Sequence, residues 1–164
     1  MRWKVGLLAA SDHGSQSERV ETSAQVIREL VEEELGGDIV DYRIVPEEID
    51  EMMAALIEMA EYYKPDLILT TGGIGMGPRD VTPEATLKVV DRLAPGFAEA
   101  MRAALMRRSG AGMMTRGVAG IRGRTLILNL PGAPEGVHDS LTAILDRLPD
   151  AMRAIHGLGG DEAV

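Results

Sequence analysis

The sequence contains no cysteine and no long apolar run. Without cysteine, the 164-residue chain has no disulfide, no thiolate metal ligand and no cysteine nucleophile. No apolar stretch approaches the roughly 18 residues of a membrane span, and the N-terminal segment becomes polar too early for a signal peptide. The net charge of −9 argues against general nucleic-acid binding. We therefore expect one cytoplasmic domain, residues 1–164, that binds neither a membrane nor nucleic acid.

Positive charge is concentrated in one segment of this acidic chain. No acidic residue occurs between Glu99 and Glu135, and that segment contains Arg102, Arg107, Arg108, Arg116, Arg122 and Arg124. Such a segment could bind a phosphorylated ligand. The alternative is that these arginines pair with acids elsewhere in the chain or across a subunit contact.

Apolar periodicity predicts alternating strands and helices in the first half of the chain. The segments 4–10, 38–45 and 65–71 have the apolar patterns of strands, and the two stretches between them repeat at helical spacing. This β-α-β-α-β order predicts parallel strands with helices packed on the faces of the sheet.

The second half predicts helices over about 83–92 and 96–108, a hairpin turning at Arg122-Gly123, and a last helix within 134–155. Together the two halves predict a single α/β domain. Its three αβα layers would contain a mostly parallel sheet with a late antiparallel hairpin.

Polar or glycine-rich residues follow four of the predicted strands. They are Ser11-Asp12, Pro46-Glu47, Thr71 with its glycine loop, and the stretch 129–132. Because ligands of open α/β sheets bind beyond the carboxyl ends of the strands, we expect these residues to line one rim.

The glycine loop lies in "TTGGIGMGPRDVTPEAT", residues 70–86, where four of six positions from Gly72 to Gly77 are glycine. Thr82 is a good N-cap for the following helix and Pro83 suits its first position, so the loop leads into a helix N-terminus. Free N–H groups there favour anions. The loop lacks the Lys-Ser/Thr pair of a Walker loop and the spacing of a dinucleotide loop, so alone it fits a structural turn equally well.

Asp80 makes a functional loop the better interpretation. A carboxylate beside a phosphate cradle repels the ligand unless a cation lies between them, and Mg²⁺ is typically held by one or two carboxylates plus phosphate oxygens. Glu47 and Asp12 are the other acidic candidates, although Asp12 could simply cap a loop and Glu47 could simply open a helix. No Ser-His-Asp arrangement is indicated.

Four segments resemble one known family. "TTGGIGMGPRDVTPEAT", "SDHGSQSERVETSAQVI", "APGFAEAMR" and "VAGIRGRTLILNLPGAPEGV" are similar, in order and over roughly residues 4–155, to molybdenum cofactor biosynthesis proteins of the MogA/MoaB type. The resemblance implies a molybdopterin adenylyltransferase. Such an enzyme joins AMP from Mg-ATP to the terminal phosphate of molybdopterin, releases pyrophosphate, and passes its product to a molybdate-insertion enzyme. It also implies a homotrimer.

The resemblance implies roles for particular residues. Asp80 and Glu47 match the two functional acids, as catalytic residues and Mg²⁺ ligands, with Glu47 in place of the usual aspartate. The nucleotide-contacting loop matches Thr71, Gly72, Gly73 and Gly75. The molybdopterin side matches Ser11, Asp12, Thr115, Arg116, Leu130, Pro131, Gly132 and Pro134.

Two alternatives stay open at this point. One is a paralogue that binds pterin or nucleotide without catalysis, for which Asp80 would be dispensable. The other is a CinA-type hydrolase of nucleotide pyrophosphates, whose glycine loop more often reads "GGLGPT-x-DD", so that Arg79-Asp80-Val81-Thr82-Pro83 argues against it.

Overall fold

A computed structural model describes residues 1–159, which form a six-stranded sheet between two layers of helices. The last five residues of the predicted domain, 160–164, lie outside the described residues. The strands are β1 (Trp3–Ala10), β2 (Gly37–Val45), β3 (Leu67–Thr71), β4 (Arg92–Leu93), β5 (Ala119–Arg122) and β6 (Thr125–Leu130).

The α-helices in residues 1–159 are α1 (Glu18–Glu29), α2 (Ile49–Glu58), α3 (Thr82–Val89), α4 (Pro95–Arg108), α5 (Pro134–Ile144) and α6 (Leu148–Ile155). Wider helical turns at Leu30–Leu35 and Met59–Tyr63 continue α1 and α2. Gly36 follows the first of these in a left-handed conformation, with φ of 76°, and ends the helix as a glycine C-cap does. None of these helices is both long enough and apolar enough to cross a membrane.

The strand order is β2-β1-β3-β6-β5-β4, with parallel pairing from β2 through β6 and antiparallel pairing of β5 with β6 and with β4. This confirms the predicted mixed sheet with its late hairpin. The parallel strands end nearly level, because Thr71 pairs with Ala9 of β1 on one side and with Leu130 of β6 on the other. The chain reverses its direction of travel across the sheet between β1 and β3, and ligands bind at such switch points.

Alternating side chains of the central strands build the two halves of the core. Leu67 and Leu69 of β3 face a cluster with α1, α5 and α6, whereas Ile68 faces α2 and α3. All three are fully buried. The sheet is therefore covered on both faces, as the predicted three-layer architecture requires.

The structure corrects the prediction of a single last helix. A tight 3₁₀ turn over Leu145–Arg147 separates α5 from α6, and Pro149 lies in the first turn of α6. Proline lacks the N–H that a continuous helix would need there, so the chain restarts a helix instead. The two-residue strand β4 was also not predicted, since Arg92–Leu93 is too short to show a pattern.

Candidate active site

The glycine loop, residues 72–80, folds closely around the carboxylate of Asp80. Oδ2 of Asp80 accepts a hydrogen bond from the Gly77 N–H at 2.9 Å. A β-carbon at Gly75 would lie 2.8 Å from that same oxygen, and one at Gly77 would lie 2.9 Å from it. Both distances are too short for a real β-carbon, so side chains there would displace the carboxylate. Two of the four glycines therefore make room for Asp80.

The other two glycines shape the start of the loop. Gly72 and Gly73 have φ of 91° and 70°, in the region where glycine is unstrained. A β-carbon at Gly72 would also lie 2.8 Å from the carbonyl oxygen of Ala10 in β1. The Gly72 N–H donates to the carbonyl of Leu130 at 3.1 Å. The loop is thus hydrogen-bonded to β6 and packed closely against the end of β1 at the switch point.

Thr82 is not the N-cap that its sequence position predicted. Its hydroxyl donates to the Gly72 carbonyl at 2.9 Å, and its backbone N–H donates to the Gly73 carbonyl at 3.1 Å. The helix α3 starts after Val81, which has no side-chain cap. The threonine closes the loop on itself instead, because the left-handed glycines turn their carbonyls towards it.

Three carboxylates from the segments that follow β1, β2 and β3 line this rim, namely those of Asp12, Glu47 and Asp80. Oδ1 of Asp12 accepts a hydrogen bond from the Glu47 N–H at 3.0 Å. The pKa of the Glu47 carboxyl group is raised above its usual range. The causes, in order, are burial, the contact between the Glu47 and Asp12 carboxyl groups, and repulsion from the charges of Asp12 and Asp80. Arg79 opposes that rise only weakly. The ionised form of Glu47 is therefore destabilised in a way that a bound cation would relieve.

Arg79 neutralises one of these acids. Its Nε and Nη2 atoms donate to the two oxygens of Asp12 at 3.1 and 3.0 Å, and Nη1 donates to Glu48 at 2.9 Å. The Arg79 guanidinium, followed by the Glu47 N–H, lowers the pKa of Asp12 to about 2. Asp12 is thus held ionised by the protein's own cation, whereas the side-chain carboxylates of Asp80 and Glu47 accept no hydrogen bond from a cationic side chain within residues 1–159.

The donor set fits a magnesium ion shared with phosphate. Within residues 1–159, no three His, Cys, Asp or Glu side chains approach one another closely enough to hold a metal alone. Mg²⁺ is usually bound through one or two carboxylates, with phosphate oxygens and water completing its shell. Asp80 and Glu47 supply that number of carboxylates, and Asp12 is already engaged with Arg79.

A cleft of about 770 Å³ opens over this rim. Most of the residues implied by the resemblance line it, namely Ser11, Asp12, Glu47, Thr71, Gly72, Gly73, Gly75, Asp80, Thr115, Pro131 and Gly132. The hydroxyl of Thr71 donates to the Pro131 carbonyl at 2.7 Å, which joins the loops after β3 and β6. Residues far apart in the chain therefore share one concave surface.

Arg116 does not line the cleft. Its guanidinium donates to the carbonyls of Gly75 and Asp80, both at 2.7 Å, and forms a double hydrogen bond with Glu84 at 2.9 and 3.0 Å. The structure gives it the task of fixing the glycine loop to the first turn of α3.

Leu130 and Pro134 also lie behind the cleft surface. The side chain of Leu130 is fully buried in the core, and only its carbonyl reaches the site, through the Gly72 N–H. Pro134 is the first residue of α5, where its fixed φ suits a helix start. These two residues shape the turn and leave the exposed contacts to Pro131 and Gly132.

The acid-free arginine segment is used mainly for internal contacts. Arg102 donates to the carbonyls of Thr115 and Gly117, and the other paired members are Arg108 with Asp139, Arg116 with Glu84 and Arg122 with Glu61. The second interpretation given for this segment, pairing with acids elsewhere, therefore describes three of its six arginines, and Arg102 bonds to backbone carbonyls instead.

Two cationic residues of the site were not predicted. Arg79 was visible in the loop motif, but its partner Asp12 lies 67 positions away in sequence. Arg19 of α1 also lines the cleft. Its signal was weak, since a single arginine on an exposed helix face usually marks only solvent contact.

Comparison with known proteins confirms the resemblance suggested by the sequence. A family model described as a probable molybdopterin binding domain matches residues 6–150. A protein from Helicobacter pylori named molybdopterin adenylyltransferase is 38% identical over 154 residues, which cover 93% of this chain and 88% of the relative.

Solved structures agree with the sequence comparison. The molybdopterin biosynthesis enzyme MoaB of Thermus thermophilus superposes with a TM-score of 0.87 at 44% identity, covering 96% of this chain and 98% of that one. The molybdopterin biosynthesis Mog protein of Mycobacterium ulcerans gives 0.86 at 34% identity, covering 94% and 99%. Sequence and fold lead to the same assignment: the chain belongs to the molybdopterin-binding domain family of molybdenum cofactor biosynthesis proteins.

Proposed function

We propose that the chain is a molybdopterin adenylyltransferase in molybdenum cofactor biosynthesis. The observation that carries the proposal is the glycine loop folded around Asp80 beside Glu47, at the switch point of a chain related to enzymes of that name. The loop offers main-chain contacts for phosphate, and the two acids require a cation. Both features suit a nucleotide that arrives with a divalent metal ion.

The reaction requires no nucleophile from the protein. An oxygen of the terminal phosphate of molybdopterin attacks the α-phosphorus of ATP and forms the new P–O bond. The bond from the α-phosphorus to the bridging oxygen breaks, and pyrophosphate leaves with the electron pair. The enzyme's contribution is to place the two phosphates in line and to stabilise the spreading negative charge.

Within this scheme, the chain's residues divide the work. We propose that Thr71, Gly72, Gly73 and Gly75 hold the nucleotide, and that Ser11, Asp12, Thr115, Pro131 and Gly132 contact molybdopterin, with Arg116, Leu130 and Pro134 supporting these surfaces from behind. Asp80 and Glu47 would hold Mg²⁺, which when bound neutralises phosphate charge. Arg79 keeps Asp12 ionised and fixed, and Asp12 in turn holds the Glu47 backbone.

We also propose the surroundings in which the enzyme acts. The whole chain, 1–164, would be one domain that works in the cytoplasm as a homotrimer and delivers its product to a molybdate-insertion enzyme. Exposed apolar side chains support self-association: Leu93 is 58% exposed, and beside it an apolar groove contains Pro95, Phe97 and Ile144.

The test is adenylylation of molybdopterin by purified protein with ATP and Mg²⁺. Chromatography would follow the adenylylated pterin, and a coupled assay would follow pyrophosphate. We expect both products in equal amounts and only when molybdopterin is present. Pyrophosphate or AMP formed without molybdopterin would instead indicate a nucleotide hydrolase, and pterin binding without either product would indicate a non-catalytic paralogue.

A further inference from the structure

Arg19 differs from the other arginines that border the cleft. Arg108 lines the same cleft but pairs with Asp139, and Arg79 next to the rim pairs with Asp12 and Glu48. Arg19 is exposed, and within residues 1–159 it has neither a hydrogen bond nor an ion pair. It is a cation that the protein itself leaves open on the surface of its own cleft.

The helix that carries Arg19 is tied to the turn after β6. Arg19 is the second residue of α1, and the Ser23 hydroxyl one turn further along donates to the Gly132 carbonyl at 2.7 Å. This bond ties α1 to the turn after β6. A β-carbon at Gly132 would lie 3.9 Å from both Cζ and Nη2 of Arg19. The guanidinium therefore lies beside the Pro131-Gly132 turn, with no side chain from Gly132 in between.

Local helix energetics do not explain an arginine here. The first turn of a helix favours acidic side chains because of the partial positive charge at its N-terminus, and Glu18 and Glu21 of the same turn follow that preference. Arg19 carries the opposite sign. Its residue type is therefore not explained by the helix to which it belongs, and the side chain lines the cleft.

The charges of the cleft are separated in a way that suits two phosphate-bearing substrates. Asp80 and Glu47 lie at the ends of β3 and β2, whereas Arg19 lies beside the turn that follows β6. The acids require a metal ion before they can accept phosphate. Arg19 can bind a phosphate directly, because its planar pair of N–H groups can donate to two phosphate oxygens.

We propose that Arg19 is a substrate-positioning residue that binds a phosphate group in the cleft, separately from the site at Asp80 and Glu47. The proposal rests on the proposed adenylyl transfer. The phosphate has two sources in that reaction, the terminal phosphate of molybdopterin and the polyphosphate of ATP. The chemistry recognised is the same in both cases, and steady-state kinetics distinguishes them.

The first test measures kcat and KM for each substrate in wild type, Arg19→Gln, Arg19→Lys and the control Arg28→Gln on the same helix. We expect Arg19→Gln to raise the KM of one substrate about tenfold, as for the loss of a charged hydrogen bond, with a smaller change in kcat. Arg19→Lys should raise the KM less than Arg19→Gln does, because lysine keeps the positive charge but lacks the planar pair of N–H donors. A rise in the KM for molybdopterin would show that Arg19 binds the pterin phosphate. A rise in the KM for ATP would show that it binds the nucleotide phosphate.

The control is matched in residue type and element. Arg28 lies in the last turn of α1, outside the cleft lining, and contacts Glu32 at 3.9 Å. Its substitution should leave both KM values unchanged. Equal effects of Arg28→Gln and Arg19→Gln, or unchanged KM values in Arg19→Gln, would overturn the role of Arg19 and leave adenylyl transfer standing.

A binding measurement keeps the two proposals separable. Calorimetric titration with inorganic pyrophosphate needs no turnover, and we expect about tenfold weaker binding in Arg19→Gln than in wild type. If wild type forms no adenylylated pterin but this difference is found, the phosphate site stands and the proposed function fails. If wild type is inactive and both proteins bind pyrophosphate equally, both the proposed function and the phosphate site at Arg19 are wrong.

Discussion

At the amino end of the sheet, Asp66 accepts a hydrogen bond from the Lys4 N–H at 2.8 Å and faces His156 at 3.2 Å. At the carboxyl end, the Asp80 carboxylate accepts a hydrogen bond, within residues 1–159, only from the Gly77 N–H of its own loop, and burial raises the pKa of Glu47. Both ends border a cavity, of about 620 and 770 Å³. The two ends of the sheet therefore have cavities of similar size, and they differ in whether their charged side chains are paired.

The amino end uses its charges to hold strands and turns in place. Arg122 donates to the Val89 carbonyl at 2.7 Å and to Glu61 at 2.6 Å, and Asp91 accepts from the Gly123 N–H at 2.7 Å. At the carboxyl end, burial, followed by the neighbouring acids Asp12 and Asp80, raises the pKa of Glu47 and so the energy of its ionised form. Such an arrangement opposes stability and is typical of sites that bind or react.

Asp80→Asn should produce the largest effect. Asparagine retains an oxygen that can accept the Gly77 N–H, so the loop keeps its shape, but the negative charge is lost. We expect adenylylation to fall on the order of 10²-fold or more, with the melting temperature close to that of wild type. Steady-state rates and thermal melts check both statements, and near wild-type turnover in the folded variant would remove Asp80 from the catalytic role.

Gly75→Ala should have the next largest effect on rate. The new methyl group would lie 2.8 Å from Oδ2 of Asp80 and push the carboxylate aside. A misplacement of that kind can cost up to roughly 10²-fold in rate. Gly96→Ala in α4 is the matched control, because a β-carbon there meets no atom within 4 Å. Equal rates for the two variants would show that the loop does not depend on the fit around Asp80.

Asp66→Ala addresses the amino end and should affect stability alone. It removes the acceptor of the Lys4 N–H and the carboxylate that faces His156, at a cost of about 0.5–1.5 kcal/mol in the free energy of unfolding. Thermal or urea unfolding measures that loss. Turnover at a temperature where the variant is folded should match wild type, and a reduced rate there would contradict the division between the two ends.

Glu47→Gln should change stability slightly, with the sign opposite to that of Asp66→Ala. Because the pKa of Glu47 is raised in the folded state, its ionisation destabilises the fold at neutral pH. Glutamine removes that cost, so the melting temperature at pH 7 should rise by no more than about 2–4 °C while adenylylation falls. The gain should disappear as the pH falls below the ordinary pKa of 4.5, where glutamate is neutral in both states. A gain that persists there would indicate a cause other than charge.

The sequence predicted the sheet better than it predicted the site. β1, β3 and β6 are apolar runs whose neighbours supply turn residues, so periodicity alone located them. The tasks of Arg79 and Arg116 could not be predicted in this way. Their partners Asp12 and Glu84 lie 67 and 32 positions away, and such pairings depend on how the elements pack.

Glycine shows the same limit at a smaller scale. The density of glycines in residues 72–77 indicates a backbone that has positive φ or is approached closely by other atoms, but it does not indicate which atoms. In the structure, Gly72 makes room for the Ala10 carbonyl, and Gly75 and Gly77 make room for the Asp80 carboxylate. The sequence showed that the loop needs glycines, and only the folded loop showed which groups leave no room for side chains there.

The most direct test measures turnover and melting temperature of Asp80→Asn and Asp66→Ala side by side with wild type. If catalysis belongs to the carboxyl end and structural support to the amino end, Asp80→Asn loses adenylylation and keeps its melting temperature, while Asp66→Ala melts earlier and keeps its turnover. Two variants that lose activity only in proportion to their stability would contradict the account, because neither end would then be specialised.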